Sequence, residues 1–158
     1  MSDTTVLVAD GARARFFELR GPEHTGTRGG PTLVEIASLV APAHQARGGA
    51  LYTEGVTGHN RDAGGAGHDY DEHREDHDAA VERRFAREVM AELQRRRSMR
   101  NVLCAPPQML GYLRQAMDGA GEMDIEECPR DLSTLGARDI QSHLAGAGLL
   151  AERRFPAR

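Results

Sequence analysis

Val6-Leu7-Val8-Ala9-Asp10-Gly11-Ala12-Arg13-Ala14-Arg15-Phe16-Phe17-Glu18-Leu19 decides the fold: an apolar run stops at Asp-Gly and restarts with apolar and charged residues in alternation. The first run suits a buried strand. The second places Ala12, Ala14 and Phe16 on one side and Arg13 and Arg15 on the other, the period of a half-buried strand. Asp-Gly between them suits a tight turn, with Gly11 expected to accept a positive φ.

Outward from this pair, residues 21–31 are rich in Gly, Thr and Pro, and Thr32-Leu33-Val34-Glu35-Ile36-Ala37-Ser38-Leu39-Val40 reads as a third strand, completing an antiparallel meander. Residues 42–76 hold few large apolar side chains, with only Leu51, Tyr52, Val56 and Tyr70 breaking the polarity. Such a segment buries too little apolar surface to offset its ordering entropy, so a long mobile Gly/His/Asp-rich loop is expected there.

The next element is a helix. Val81, Phe85, Val89 and Leu93 recur every four residues, Ala86 and Met90 widen the stripe, and Asp76 or Asp78 is expected to cap the start. Arg95-Arg96-Arg97 suits the negative end of its dipole. Residues 101–105 read as a buried strand, and Pro106-Pro107 opens a helix through Met109, Leu110, Leu113 and Met117. Residues 122–127 read as a more exposed strand, and residues 132–150 hold a last helix beginning near Ser133 or Thr134. The order β-β-β-α-β-α-β-α gives an α/β class with a mixed sheet flanked by helices.

At 158 residues and 17.2 kDa, with 39% hydrophobic content, the chain suits a single domain over 1–158 with one long excursion. All 20 basic residues are arginine, a bias in keeping with GC-rich codon usage. A net charge of −4 argues against binding nucleic acid over the whole surface and leaves local basic patches. No apolar run reaches the roughly 20 residues of a membrane span, and the N-terminus lacks a secretory pattern, so a cytoplasmic protein with no membrane association is expected. Cys104 in an apolar run and Cys128 in a polar one show no paired-cysteine spacing.

Four segments carry a family resemblance: residues 8–17 (VADGARARFF), residues 69–77 running into Glu82-Arg83-Arg84-Phe85-Ala86-Arg87-Glu88, residues 103–111 (LCAPPQMLG) and residues 131–135 (DLSTL). In this order they resemble the bacterial host attachment protein family. That family is similar at the level of fold to the central domain of archaeal and eukaryotic release factors and Pelota. The resemblance implies a ribonuclease-H-like sheet and a role near RNA or the ribosome. The Gly-Gly-Gln tripeptide of true release factors is absent, with Gly29-Gly30, Gly48-Gly49 and Gly64-Gly65 followed by Pro31, Ala50 and Ala66, so peptide release is not expected.

The candidate chemistry is sparse. Asp10 lies where nucleases of the ribonuclease-H-like fold hold a metal, but such sites need several convergent carboxylates, and only Asp131 and Asp139 offer themselves. Asp10 is also the natural first residue of an Asp-Gly turn. Of the loop histidines His44, His59, His68, His73 and His77, the pair His73 and His77 stand one turn apart if the helix begins early, as candidate metal ligands. The other reading is a solvated polar loop. Arg13 and Arg15 are spaced to straddle neighbouring phosphates or carboxylates, or else form a solvated strand face. Arg83 and Arg87 join them as candidate binding residues, while Arg84 has the spacing to pair with Glu88. Cys104, with no histidine positioned to activate it, reads as a structural thiol.

The expectation is a non-enzymatic binding module without cofactor or catalytic residues, partnered by RNA or the ribosome, by a protein, or by its own copies through an exposed edge strand. One alternative is a metal-dependent nuclease or hydrolase using Asp10. The other is a protein-interaction factor acting in attachment to host cells.

Overall fold

The computed structural model describes residues 3–25, 29–42 and 67–153. The opening stretch forms the centre of the sheet. β1 (Thr4–Ala9) and β2 (Arg13–Arg20) pair antiparallel with Leu7 opposite Phe16, and β3 (Thr32–Val40) continues the meander against β2. β4 (Arg100–Cys104) pairs parallel with the free side of β1, Val6 opposite Val102, and β5 (Ile125–Cys128) pairs parallel with β4. The result is a mixed five-stranded sheet in the order β3-β2-β1-β4-β5. β3 carries one extra residue, Ile36, between the partners of Phe16 and Phe17, a bulge that bends the edge strand.

Alternation along the strands sorts side chains into two cores. Leu7, Ala14, Phe16 and Leu103 face α2 (Gly67–Arg96) and α3 (Pro107–Met117), which contribute Phe85, Val89, Leu93, Met109, Leu110 and Leu113. The opposite face carries Val6, Val8, Phe17, Val102 and Cys104, covered by Ile140 and Leu144 of α4 (Ala137–Gly146). Full burial of a Leu or Phe side chain contributes roughly 1.5–3 kcal/mol, so the two apolar layers hold the sheet between its helices. Gln141, 2% exposed, ties α4 to the start of β3. Its Oε1 accepts from Leu33 N–H at 3.1 Å and its Nε2 donates to the Pro31 carbonyl at 2.8 Å.

Apart from one short helical turn between β2 and β3, the order of the described elements, the α/β class and the three-stranded meander are as the sequence predicts. Several boundaries differ. α2 begins at Gly67, so the last part of the expected loop is helical, and Asp76 and Asp78 lie inside the helix rather than capping it. Residues 72–78 are all exposed. A helix closes its hydrogen bonds within itself and needs no apolar stripe there, and the acidic residues of this stretch favour the positive end of the dipole. The rest of the expected loop, residues 43–66 with His44 and His59, lies outside the described residues.

α4 starts at Ala137, because Ser133 is held by Asp131 in a side-chain turn before the helix. β5 begins at Ile125 rather than Glu122. A single turn, α1 (Pro22–Thr25), interrupts the Gly/Thr/Pro segment. Cys128 is buried despite its polar neighbours, because it is the register partner of Cys104.

Candidate functional site

In open α/β sheets the crevice outside the carboxyl ends of the strands is the natural binding position, since side chains and turns from neighbouring strands diverge there. Asp10 sits at that end of β1, the central strand. Its Oδ1 accepts from the N–H groups of Ala12 and Arg13, both at 2.7 Å, and its own N–H donates to the Arg13 carbonyl at 2.9 Å. The carboxylate thus closes the β1–β2 turn. Gly11 does not adopt the expected positive φ; among the described glycines only Gly119 and Gly148 do. It is instead a place of close approach, where a β-carbon would meet Glu82 Oε1 at 2.8 Å.

Glu82 therefore brings α2 over the turn, and the neighbouring Arg83 reaches α3, its guanidinium stacked 5.4 Å from the Tyr112 ring centroid. The Tyr112 hydroxyl accepts from Gln108 Nε2 at 3.0 Å in the first turn of α3. No side chain caps that turn: Pro106 takes the cap position and Pro107 follows it. Arg13, Arg83 and Arg87 are exposed. The α2–α3 side of the Asp10 rim thus carries Arg83, a half-buried aromatic ring and a helix start, while Arg13, on the face of β2 that carries Arg15 and Phe17, stands on the other side of the sheet.

Arg15 is placed differently. Its Nε and Nη2 bond both oxygens of Glu35 at 3.0 and 2.7 Å, and its Nη1 donates to the carbonyls of Ser133 and Leu135 at 3.1 and 2.6 Å. It also lies 5.0 Å from the Phe17 centroid. The Arg15 hydrogen bonds hold the Glu35 carboxyl below its ordinary pKa, against a smaller opposing effect of burial, and Glu35 in turn raises the guanidinium. Arg13 and Arg15 share a strand face, but Arg15 clamps β2 to β3 and to the approach of α4.

The remaining candidates are scattered. Asp131 Oδ1 accepts from the Ser133 amide at 3.0 Å and hydroxyl at 2.5 Å, and Asp139 lies in the first turn of α4. His73 and His77 stand four residues apart on α2, both exposed. Among the described residues no three His, Cys, Asp or Glu side chains form a metal-binding group. Cys104 and Cys128 are buried free thiols, and burial, reinforced by Cys128, pushes the Cys104 thiol up, which suits a structural thiol and opposes nucleophilic chemistry. Arg84 and Glu88 approach only to 3.8 Å on the exposed face of α2. Glu82, Gln108 and Tyr112 are parts of the rim that periodicity did not single out. Tyr112, one of three tyrosines in the chain, was the available signal.

Fold and rim define a small α/β protein whose mixed sheet carries an arginine-bearing surface at the carboxyl end of its central strand. The chain belongs to the family described as "Protein required for attachment to host cells", whose model it matches over residues 5–144, from β1 into α4. No protein with a curated description matches it. No helix among the described residues is long and apolar enough to cross a membrane.

Proposed function

We propose that this host-attachment-related protein is a non-enzymatic binding module, acting in the cytoplasm, whose partner is ribosomal RNA and whose contact surface is the rim around Asp10. The observation that carries this reading is Arg83, exposed on α2 and stacked on Tyr112 near the uncapped start of α3, with exposed Arg87 one turn further along the same helix and exposed Arg13 on the other side of the sheet at the start of β2. Guanidinium groups pair with phosphates, an aromatic ring stacks on an unpaired base, and a helix start favours an anion. The strand order with β2 antiparallel supports the likeness to the ribonuclease-H-like and release-factor central-domain arrangement. The local character of the rim fits a chain of net charge −4.

Glu82 at the Asp10 turn favours a second reading, a metal-dependent nuclease. The residues fit it poorly. One oxygen of Asp10 already accepts two backbone N–H groups, and no third ligand joins the pair among the described residues.

The test is co-sedimentation of the protein with ribosomes through sucrose gradients at low and high salt. Comigration at low salt, lost at high salt and weakened by Arg83→Glu with Arg87→Glu, is expected, because phosphate contacts release counterions. A protein that stays at the top of the gradient under both conditions refutes the ribosomal reading and leaves a protein partner in attachment. RNA cleavage that needs Mg²⁺ or Mn²⁺ and vanishes in Asp10→Asn would establish the nuclease.

A further inference from the structure

At the end of the sheet opposite Asp10, the last turn of α2 and the segment leading into β5 border an open cleft of about 490 Å³. Its walls carry Arg97, Glu122 and Asp124 together with Met99 and Met123. Met99 is 77% exposed, whereas the other exposed large hydrophobic among the described residues, Val40, reaches 40%. Arg97 has a φ of 52°, the single described non-glycine residue in the left-handed region, with its N–H donating to the Gln94 carbonyl at 3.3 Å. Glycine would close this helix end without strain, so the position gains a guanidinium that the turn itself does not require.

Asn101, fully buried, bonds to two residues of the cleft wall. Its Nδ2 donates to the carbonyls of Ser98 at 3.5 Å and Asp124 at 3.2 Å, both residues of the cleft wall, while its Oδ1 has no hydrogen-bond partner. Asn101 thus ties together the two backbone segments that form the wall without itself lining the cleft. The wall offers two carboxylates and one guanidinium around two methionines. A complementary ligand carries two cationic groups and one carboxylate on an aliphatic stem. A diamine leaves Arg97 unpaired, and an apolar amino acid leaves one carboxylate unpaired. Methionine side chains adapt to a flexible methylene stem, and the volume lies in the ordinary range for small-ligand sites, about 300–1,000 Å³.

We propose that this cleft binds a free basic amino acid of the lysine or ornithine type, its carboxylate on Arg97, its two ammonium groups on Glu122 and Asp124, and its stem on Met99 and Met123. The site is independent of the rim at Asp10.

Isothermal titration calorimetry of the full chain tests this with L-lysine, L-norleucine, which lacks the side-chain ammonium, and cadaverine, which lacks the carboxylate. Saturable binding of lysine is expected, with both analogues weaker by about tenfold or more. Arg97→Gly and Asp124→Asn are each expected to weaken lysine binding by about tenfold. Arg97→Gly relieves the left-handed φ, so its thermal midpoint should not fall and lost binding cannot be lost fold. Arg130→Gln, an exposed position just past β5 at the other end of the sheet, should bind lysine as the parent chain does. The absence of saturable lysine binding, equal affinity for all three compounds, or unchanged affinity in both cleft variants overturns the proposal.

Discussion

Arg15→Ala removes a side chain that is 17% exposed and joins three parts of the molecule, so its cost can be worked from its contacts. The stacking on Phe17 contributes about 0.5–1 kcal/mol at a partly exposed site. The ion pair with Glu35, whose side chain is 39% exposed, contributes about 1 kcal/mol or less because solvent screens it. The Ser133 and Leu135 carbonyls lose a charged donor, about 1 kcal/mol each where water only partly replaces it. The expected loss is about 3 kcal/mol, a large part of the roughly 5–15 kcal/mol that holds a domain together.

Equilibrium urea unfolding measures this loss as a lower midpoint with an unchanged slope. Glu35→Gln, which leaves both carbonyl bonds in place, should cost about 1 kcal/mol or less. Hydrogen exchange should quicken at the Ser133 amide in Arg15→Ala, since that approach to α4 loses its anchor. A loss under about 1 kcal/mol would refute the clamp and return Arg15 to the solvated face of its strand.

Two further outcomes follow from the ionised and buried groups. Glu35 and Glu127 have carboxyls held below their ordinary pKa by Arg15 and Arg114, so their contribution is full above the unfolded-state pKa and fades as pH falls through the lower folded value. The urea midpoint should therefore drop on acidification, less steeply in Glu127→Gln, and equal acid slopes for variant and parent would count against the pairing. Cys104 and Cys128 should resist an aromatic disulfide reagent in the native protein and react together in urea; rapid native labelling would contradict their burial.

The sheet was readable because its strands are buried on one or both faces. Val6 to Ala9 has no polar interruption, and the alternation from Ala12 to Phe16 carries the period of a strand. The beginning of α2 was hidden for the converse reason: residues 72–78 touch solvent on every side, and a helix without an apolar stripe leaves no periodic trace. The start of α4 was misread because Asp131, Ser133 and Thr134 are residues of helix caps and of side-chain turns alike, and here Asp131 makes the turn. At the rim, Asp10 was legible as a turn residue from Asp-Gly alone. Glu82 over Gly11 and Arg83 on Tyr112 were not, because each contact joins elements distant in sequence. Arg15 shows the same limit. Its spacing from Arg13 describes a shared face, while its partners Glu35, Ser133 and Leu135 are set by tertiary structure.

The place of β1 at the centre of the sheet has a consequence in time. β2 and β3 follow it directly, but its other neighbour, β4, begins at Arg100, about sixty residues after β3 ends at Val40. At roughly 5–20 residues per second of synthesis, that interval lasts about 3–12 s. During it the nascent hairpin holds the backbone of Val6 and Val8 without its second partner, on the strand that both apolar layers depend on. The growing chain is therefore most open to chaperones, and to mispairing with a neighbouring copy, before β4 emerges from the ribosome.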